Sequence, residues 1–548
     1  MLFLLVSFIF FVAFNFYFFL MKKSSGTQFF VSVALSFGIM RISTFEWKFQ
    51  NSLIELVINF LKNLILILLE IGELFTLNLD YPQIILDFQS FEYKLIAQLW
   101  LAFLYLMATI VTFGLIIQLL GDWFSILRLK FSLMEENHIF FGVDSSVHNF
   151  IEELSVREKT RIVFINCNRD DFIDLPSKSL FININESSIF KLLAKLKSRN
   201  FYYFVNNQVE DFKIAIQIIK DYGNRPTDDC LFVTDSNNII QDFISYQHHS
   251  QNSVRGDDIL KIRSLNNERI AIYNYFFKNK EVISKLFEEK PFFVIVGNNN
   301  LAIESIKLLA WLSQVFGKEL RISVIFSDED FSKKIKYEMP GLFSKFTYEK
   351  SVHIEFVNIS NLSHPNVYNV IKDFNEPSSI FFLTDDVNNI KLVSMVLERM
   401  NSNFPFVMTL ESPVFIELYT PIFKDSIVIV NSIANQFQNE LENIALKLHT
   451  KYQNTFIESN FYNNNYNYYS TMARALGNFY SPNKMYQDEE KVIINWKSLE
   501  FEHNRWSVYL KTEGWTFGEK RDNLRKKHPL LIPFEMLPME EQLKDLNY

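Results

Sequence analysis

The chain has 548 residues and a formal net charge of −8, so its length allows three or four domains and its charge excludes nucleic acid as a bulk partner. Its two cysteines, Cys167 and Cys230, lie in apolar strand-like runs, which implies buried thiols and neither a disulfide framework nor a cysteine metal site.

Residues 1–132 read as a membrane region. Three apolar runs, 2–21, 52–72 and 97–120, are each near the ~20 residues that cross a bilayer. A signal peptide is the rival reading of the first run; no basic segment precedes it and no small-residue cleavage site follows. The second run carries Glu55 and Lys62 and is the weakest. Gln28–Met40 is shorter, either interfacial or a fourth span. Lys22, Lys23, Arg41 and Lys48 load one loop with positive charge, whereas Asp80, Asp87 and Glu92 load the next with negative charge. That bias gives three spans with the N-terminus outside and the remainder cytoplasmic; four spans with the N-terminus inside is the alternative. Thr109–Gly114 is similar to the filter loop of potassium channels, but Gly121 and Asp122 interrupt the run after it, so a plain helix face is expected. Arg128 and Lys130 follow, and a short connector leads into the first soluble strand.

From there the chain alternates β-rich and helical runs twice, at 133–288 and 289–452, as in doubly wound α/β sheets. The first cycle has HIFFGV, TRIVFINC, SLFINI, YYFVNN and CLFVTD. The second has PFFVIVG, RISVIFSD, VHIEFVNI, SIFFLTDD, FVMTLE and SIVIVN. With the turns Gly142–Val147 and Gly297–Ala302 and the helices after YYFVNN and SIFFLTDD, the two units resemble TrkA-N, or regulator-of-potassium-conductance, domains. A dinucleotide turn wants three glycines, and each unit keeps the first, Gly142 or Gly297. Asp144 and Asn299 stand where the second would be. Asn166 replaces the ribose-binding acid in the first unit, and Asp328 is a displaced substitute in the second. These departures weigh against classical NAD binding; Gly142, Asp144, Gly297, Asn299 and Asp328 stay candidates for another nucleotide at a helix N-terminus.

Glu440–Tyr452 reads as an amphipathic helix, with His449 a partly buried helix residue. Residues 453–490, rich in Asn and Tyr, read as a loosely packed linker. The last stretch, 491–548, contains E-H-N-R-W (Glu502–Trp506), G-W-T-F-G (Gly514–Gly518), Arg521-Asp522, H-P-L-L-I-P-F (His528–Phe534) and Leu537-Pro538. In that order these words resemble the ryanodine-receptor (RyR) repeat domain, a module of eukaryotic calcium-release channels that also occurs in prokaryotic proteins. Phe501, Trp506 and Leu510 are expected to face a small module core, Gly514 to end the helix in a left-handed cap, and Trp515–Gly518 to start a tight hairpin. Two accounts of the polar residues stay open. In one, Arg505 or Arg521 pairs with Glu502 or Asp522 to hold the fold. In the other, Glu502, His503, Arg505, Trp506, Trp515, Arg521, Asp522 and His528 surround a phosphate or nucleotide.

The expected fold class is therefore multi-domain: N-terminal transmembrane α-helices, two Rossmann-like α/β domains and a small, mainly α, C-terminal module. That arrangement resembles a group of prokaryotic membrane proteins suspected of sensing nucleotide-derived signals in stress or antiviral defence. No nucleophile elbow, Walker loop or H-E-x-x-H pair is present, so neither an enzyme nor a metal site is expected. The function this implies is a ligand-gated effector at the cell membrane that binds a nucleotide-like signal and alters ion flux or membrane integrity as a homo-oligomer. The alternative is a regulatory subunit gating a separate potassium or other ion transporter.

Overall fold

The computed structural model describes residues 2–20, 26–42, 44, 53–87, 94–130, 135–142, 147–157, 159–167, 179–183, 189, 193, 196, 199–204, 209–222, 228–235, 239–240, 243, 260–344, 349, 351–399, 405–430, 439–453, 461–481, 485–488 and 491–547. The chain divides into two compact units, 1–131 and 132–548.

The first unit consists of helices Leu2–Leu20, Gly26–Ile42, Leu53–Thr76, Tyr81–Asp87 and Lys94–Lys130. Large apolar side chains cover its exterior as well as its core, where Val33, Phe37, Met40, Leu74, Leu101 and Leu104 are buried. Phe8, Phe16, Leu61, Leu68, Leu99 and Leu106 are among many large apolar side chains on the outside, while Ser7, Ser32, Ser36, Arg41 and Asn63 are buried. Some of these buried groups find partners within the unit. Ser7 Oγ donates to the Ser36 carbonyl (2.6 Å) and accepts from Trp100 Nε1 (2.9 Å). Arg41 makes a two-pronged ion pair with Glu70, both contacts 2.5 Å. Among the described residues, one helical stretch, Lys94–Gly114, is long and apolar enough to cross a membrane; Phe3–Tyr17 and Gln28–Ile42 are apolar but shorter. Of the three runs read as spans, the last therefore meets that measure. The first falls short in described length, and the second carries Glu55, Lys62, Glu70 and Glu73 within its helix. The last helix runs to Lys130 through Gly121 and Asp122, the residues that interrupt its apolar run.

In the second unit, β1 (Glu136–Phe141), β2 (Thr160–Ile165), β3 (Ser179–Ile182), β4 (Arg199–Phe204), β5 (Cys230–Thr234) and β6 (Lys261–Leu265) form one parallel sheet in the order β3-β2-β1-β4-β5-β6. A second sheet follows from β7 (Phe292–Val296), β8 (Leu320–Phe326), β9 (Val352–Asn358), β10 (Ser379–Phe382), β11 (Phe406–Leu410) and β12 (Ile427–Ile429). Its order, β12-β11-β10-β7-β8-β9, is the same topology repeated. Both are Rossmann-like, with strands that are apolar almost throughout because helices cover both faces. β6 was not expected from sequence, since KIRSL carries two cations. Its Arg263 is nonetheless buried, in an ion pair with Glu442 of the Glu440–Gln453 helix.

The segment read as a linker is partly a structural helix. Asn465–Tyr480 is capped by the Asn464 side chain and buries Tyr468, Tyr469, Met472, Ala473, Leu476 and Tyr480. Aromatic rings rather than aliphatics form its apolar face, which is why an aliphatic count misses it. It ties distant parts of the unit together: Tyr469 Oη accepts from Asn266 N (2.7 Å) and Tyr480 Oη donates to the Phe276 carbonyl (2.5 Å).

Candidate functional site

The glycine turn of the second sheet lies at the C-terminal ends of β7 and β10, the crevice where open α/β sheets take ligands. Here the crevice is occupied by the chain itself. A Cβ on Gly297 would lie 2.4 Å from the Leu383 carbonyl oxygen, so the turn is pressed against the strand end. Asn299 caps the Asn300–Val315 helix by accepting from Ala302 N (3.0 Å) and donates to the same Leu383 carbonyl (2.8 Å). Asp328 lies two residues past the end of β8 and accepts from Asp330 N within its own exposed turn (3.0 Å). Farther along, the Asp386 carboxylate accepts from Glu411 N and Ser412 N (2.9 and 2.8 Å), filling the amide pocket where the Pro413–Phe423 helix begins. In the first sheet Gly142 has a left-handed φ of 78°. Asp144 lies outside the described residues. Asp235 there accepts from Ile239 N and Ile240 N (2.7 and 2.9 Å), again an internal carboxylate on helix amides.

The C-terminal module is built around helix Trp496–Thr512, which starts at an Asn495 cap and stops at Gly514, with a left-handed φ of 86°. Most of this helix is buried, because two surfaces cover it. On one side Leu499 meets Phe534 and Leu537 in a small module core. On the other the helix packs against Asn300–Val315, the helix that begins at the second glycine turn. Phe501 turns to this second side, where the ring lies over Gly317 so closely that a Cβ would overlap it at 2.3 Å. Leu510 also joins the large shared core rather than the module's own. Both were expected in the small core. The tight hairpin is likewise replaced: Thr516–Phe517 pairs in parallel with Lys527–His528, with the loop between them.

Of the eight polar and aromatic residues singled out here, Glu502 and Arg505 pair with each other (2.8 and 3.0 Å) inside the protein, with Arg505 1 % exposed. Arg505 also lies 5.8 Å from the Trp311 ring of the second sheet's helix. His503 Nε2 meets the Ile532 carbonyl at 2.7 Å, which fixes its ring beside Trp506 and Phe534. The remaining residues gather around an aromatic cluster in which Trp515 and His528 are buried and Trp506 is half-buried. The His528 ring stands edge-on to Trp506 (5.0 Å) and Trp515 (6.0 Å), Trp515 touches Tyr466, and the Arg521 guanidinium sits 5.6 Å from Tyr466. His528 Nδ1 accepts from Leu530 N (3.2 Å), and burial together with the nearby Arg521 lowers its pKa to about 4. It is a neutral ring at pH 7. Asp522 shapes the loop by accepting from Arg525 N (3.0 Å) and bridging to Lys527.

Sequence reading missed two groups. The loop from Gly518 to His528 exposes Lys520, Arg525 and Lys526 beside Arg521, a cationic rim next to the aromatic patch in a chain that is acidic overall; their clustering in KRDNLRKKH was legible. The second is a buried junction. Arg269 bonds Glu304 (2.6 Å) and Glu513 (2.8 Å) and lies 4.7 Å from the Tyr469 ring. It thereby joins the helix after β6, the helix after the second glycine turn, the 465–480 helix and the C-terminal module. Burial alone would raise the Glu304 pKa, but Arg269 and Lys307 outweigh it and hold the carboxyl at about 2. Nothing in the sequence marks this junction, since its members are far apart along the chain. No group of three or more His, Cys, Asp or Glu among the described residues could hold a metal ion.

Residues 488–548 match the family model of the RyR domain. No curated protein matches the chain.

Proposed function

We propose that this chain is a membrane-anchored sensor in which the RyR module binds a small nucleotide-like anion and alters ion flux or membrane integrity through residues 1–131. The observation that carries the reading is the shared helix pair. Trp496–Thr512 lies along Asn300–Val315 with the Glu502–Arg505 pair and Phe501 locked between the module and the second sheet. A ligand that shifts the module must therefore shift the helix that starts at Gly297. The half-buried rings of Trp506 and Tyr466, packed with the buried Trp515 and His528, offer a stacking surface for a base, and Arg521 with its lysine and arginine neighbours offers charge for phosphate. The glycine crevices are the weaker candidates, because Asn299 and Asp386 already occupy the amides a phosphate would use.

Membrane anchoring is supported by the apolar exterior of residues 1–131, which suits lipid better than water. The two-sheet arrangement, with the TrkA-N resemblance of its strand and turn words, fits a cytoplasmic regulatory assembly.

The test is dye and ion flux from vesicles holding the full-length protein, titrated with a panel of mononucleotides, cyclic oligonucleotides and dinucleotides. A ligand-dependent leak that Arg521→Ala or Trp506→Ala weakens by about tenfold, with unchanged thermal stability, is expected. Leakage indifferent to the whole panel would sink the proposal, and a transporter co-purifying in fixed ratio would move it to the regulatory-subunit reading.

A further inference from the structure

Helix Leu53–Thr76 has three distinct faces, and the third is only partly paired within its own unit. At about 100° per residue, Asn63, Ile67 and Leu74 fall on one side, and all are buried against the bundle. Ile58, Leu61, Ile65 and Leu68 fall on the outward side and are exposed. Between these two faces, Asn59, Lys62, Glu70 and Glu73 occupy a sector about 80° wide, with Leu66 among them. Glu70 is held by Arg41, but among the described residues neither Lys62 nor Glu73 has an ion-pair partner, and both are exposed.

The helix has 24 residues and is about 36 Å long, enough in length for a hydrocarbon layer, although its charges keep it below the measure that Lys94–Gly114 meets. Lys62 then stands near mid-helix, with Asn59, Glu70 and Glu73 as the other polar residues of its sector and exposed apolar residues beside it. A lone charge at that depth is expensive against lipid and is tolerated facing water or another protein surface. A helix lying flat on the membrane would avoid the problem, but its polar face would then be expected to be rich in Lys and Arg, and here acids predominate.

Resting on the membrane reading above, we infer that Leu53–Thr76 is the pore-lining helix of an oligomer of this chain, with Asn59, Lys62 and Glu73 bordering a water-filled path between copies. A single copy cannot enclose this path; the adjacent copy supplies the facing wall. The bundle-facing side stays as it is, the outward side keeps its lipid, and the polar sector meets the same sector of its neighbours around the path.

Single cysteines placed at 59, 62, 65, 68 and 73 of the full-length protein in intact vesicles test this with a membrane-impermeant sulfonated thiol reagent. N59C, K62C and E73C are expected to react about tenfold or more faster than I65C and L68C. Oxidation of K62C is expected to cross-link copies of the chain. Equal reaction at all five positions would place the helix on the membrane surface and overturn the inference. Protection of K62C to the level of I65C, or its labelling without any cross-link, would also overturn it. Carbonate extraction is read separately: a chain stripped from the vesicles refutes the membrane reading itself, whereas a chain that resists stripping and protects K62C refutes the pore alone.

Discussion

At the scale of single residues, the second glycine turn is the least forgiving position. Gly297 N donates to the Ile325 carbonyl (3.0 Å) while its Cα faces the Leu383 carbonyl, so a methyl group has no space and no flexible neighbour to displace. Gly297→Ala is expected to destabilise the protein by about 3 kcal/mol or more, read as a drop in the thermal midpoint of detergent-purified chain. That glycine was legible in the sequence as a turn residue. Its partner was not, because Leu383 lies 86 positions on and belongs to another strand. His138 makes a different kind of prediction. Its ring stacks on Phe201 (4.6 Å) and its Nδ1 shares a 2.8 Å hydrogen bond with Tyr203 Oη. Burial first, then Arg157 and Arg199, lower its pKa from 6.5 to about 3. The folded chain therefore keeps this ring neutral while the unfolded chain protonates it. The stability it contributes is full above pH 6.5 and is lost as pH falls toward about 3. His138→Phe should make the acid limb of a stability–pH curve shallower by up to about 1.4 kcal/mol per pH unit between those limits. An unchanged slope would mean that the ring is already charged in the native state.

At the scale of elements, the C-terminal helix shows how far sequence words reach. E-H-N-R-W marked the helix, its left-handed stop at Gly514 and the Glu502–Arg505 pair as one of two readings. The words did not say that the pair would be enclosed from outside the module. Its enclosure comes from Trp311 and from Gly477, where a Cβ would approach Arg505 Cδ to 2.6 Å. Gly477 on the 465–480 helix makes room for one guanidinium beside the Trp311 ring, and room of that kind is invisible in a linear pattern. Removing one member of such a buried pair leaves the other charge uncompensated. Arg505→Met is expected to destabilise the chain by about 3–5 kcal/mol, and the double variant Glu502→Leu/Arg505→Met by clearly less. Chemical denaturation of the three proteins side by side measures both. The helix Asn465–Tyr480 teaches the reverse lesson: Asn and Tyr in quantity suggested a loose tether, yet tyrosines spaced along one face bury as well as leucines when each hydroxyl finds a partner.

At the scale of the whole molecule, the repeated strand order was readable because each strand is an apolar run between turns. The exception is β6, whose cations hide it. Connections that bind the two sheets were not readable, since they are made by polar pairs remote in sequence, such as Arg263 with Glu442 and Arg269 with Glu304 and Glu513. These pairs belong to different segments that would each look complete alone. One of them bears on how the protein is made. The outer edge of β6 is closed by Asn463, whose amide accepts from Ile262 N (2.7 Å) and donates to the Leu260 carbonyl (3.0 Å). Those partners are 201 residues apart, which at ~5–20 residues per second is about 10–40 s of translation. During synthesis the first sheet therefore leaves the ribosome with a bare margin and keeps it until the whole second sheet, which ends at Ile429, has emerged, an interval in which a chaperone or a neighbouring nascent chain has the first opportunity to occupy it.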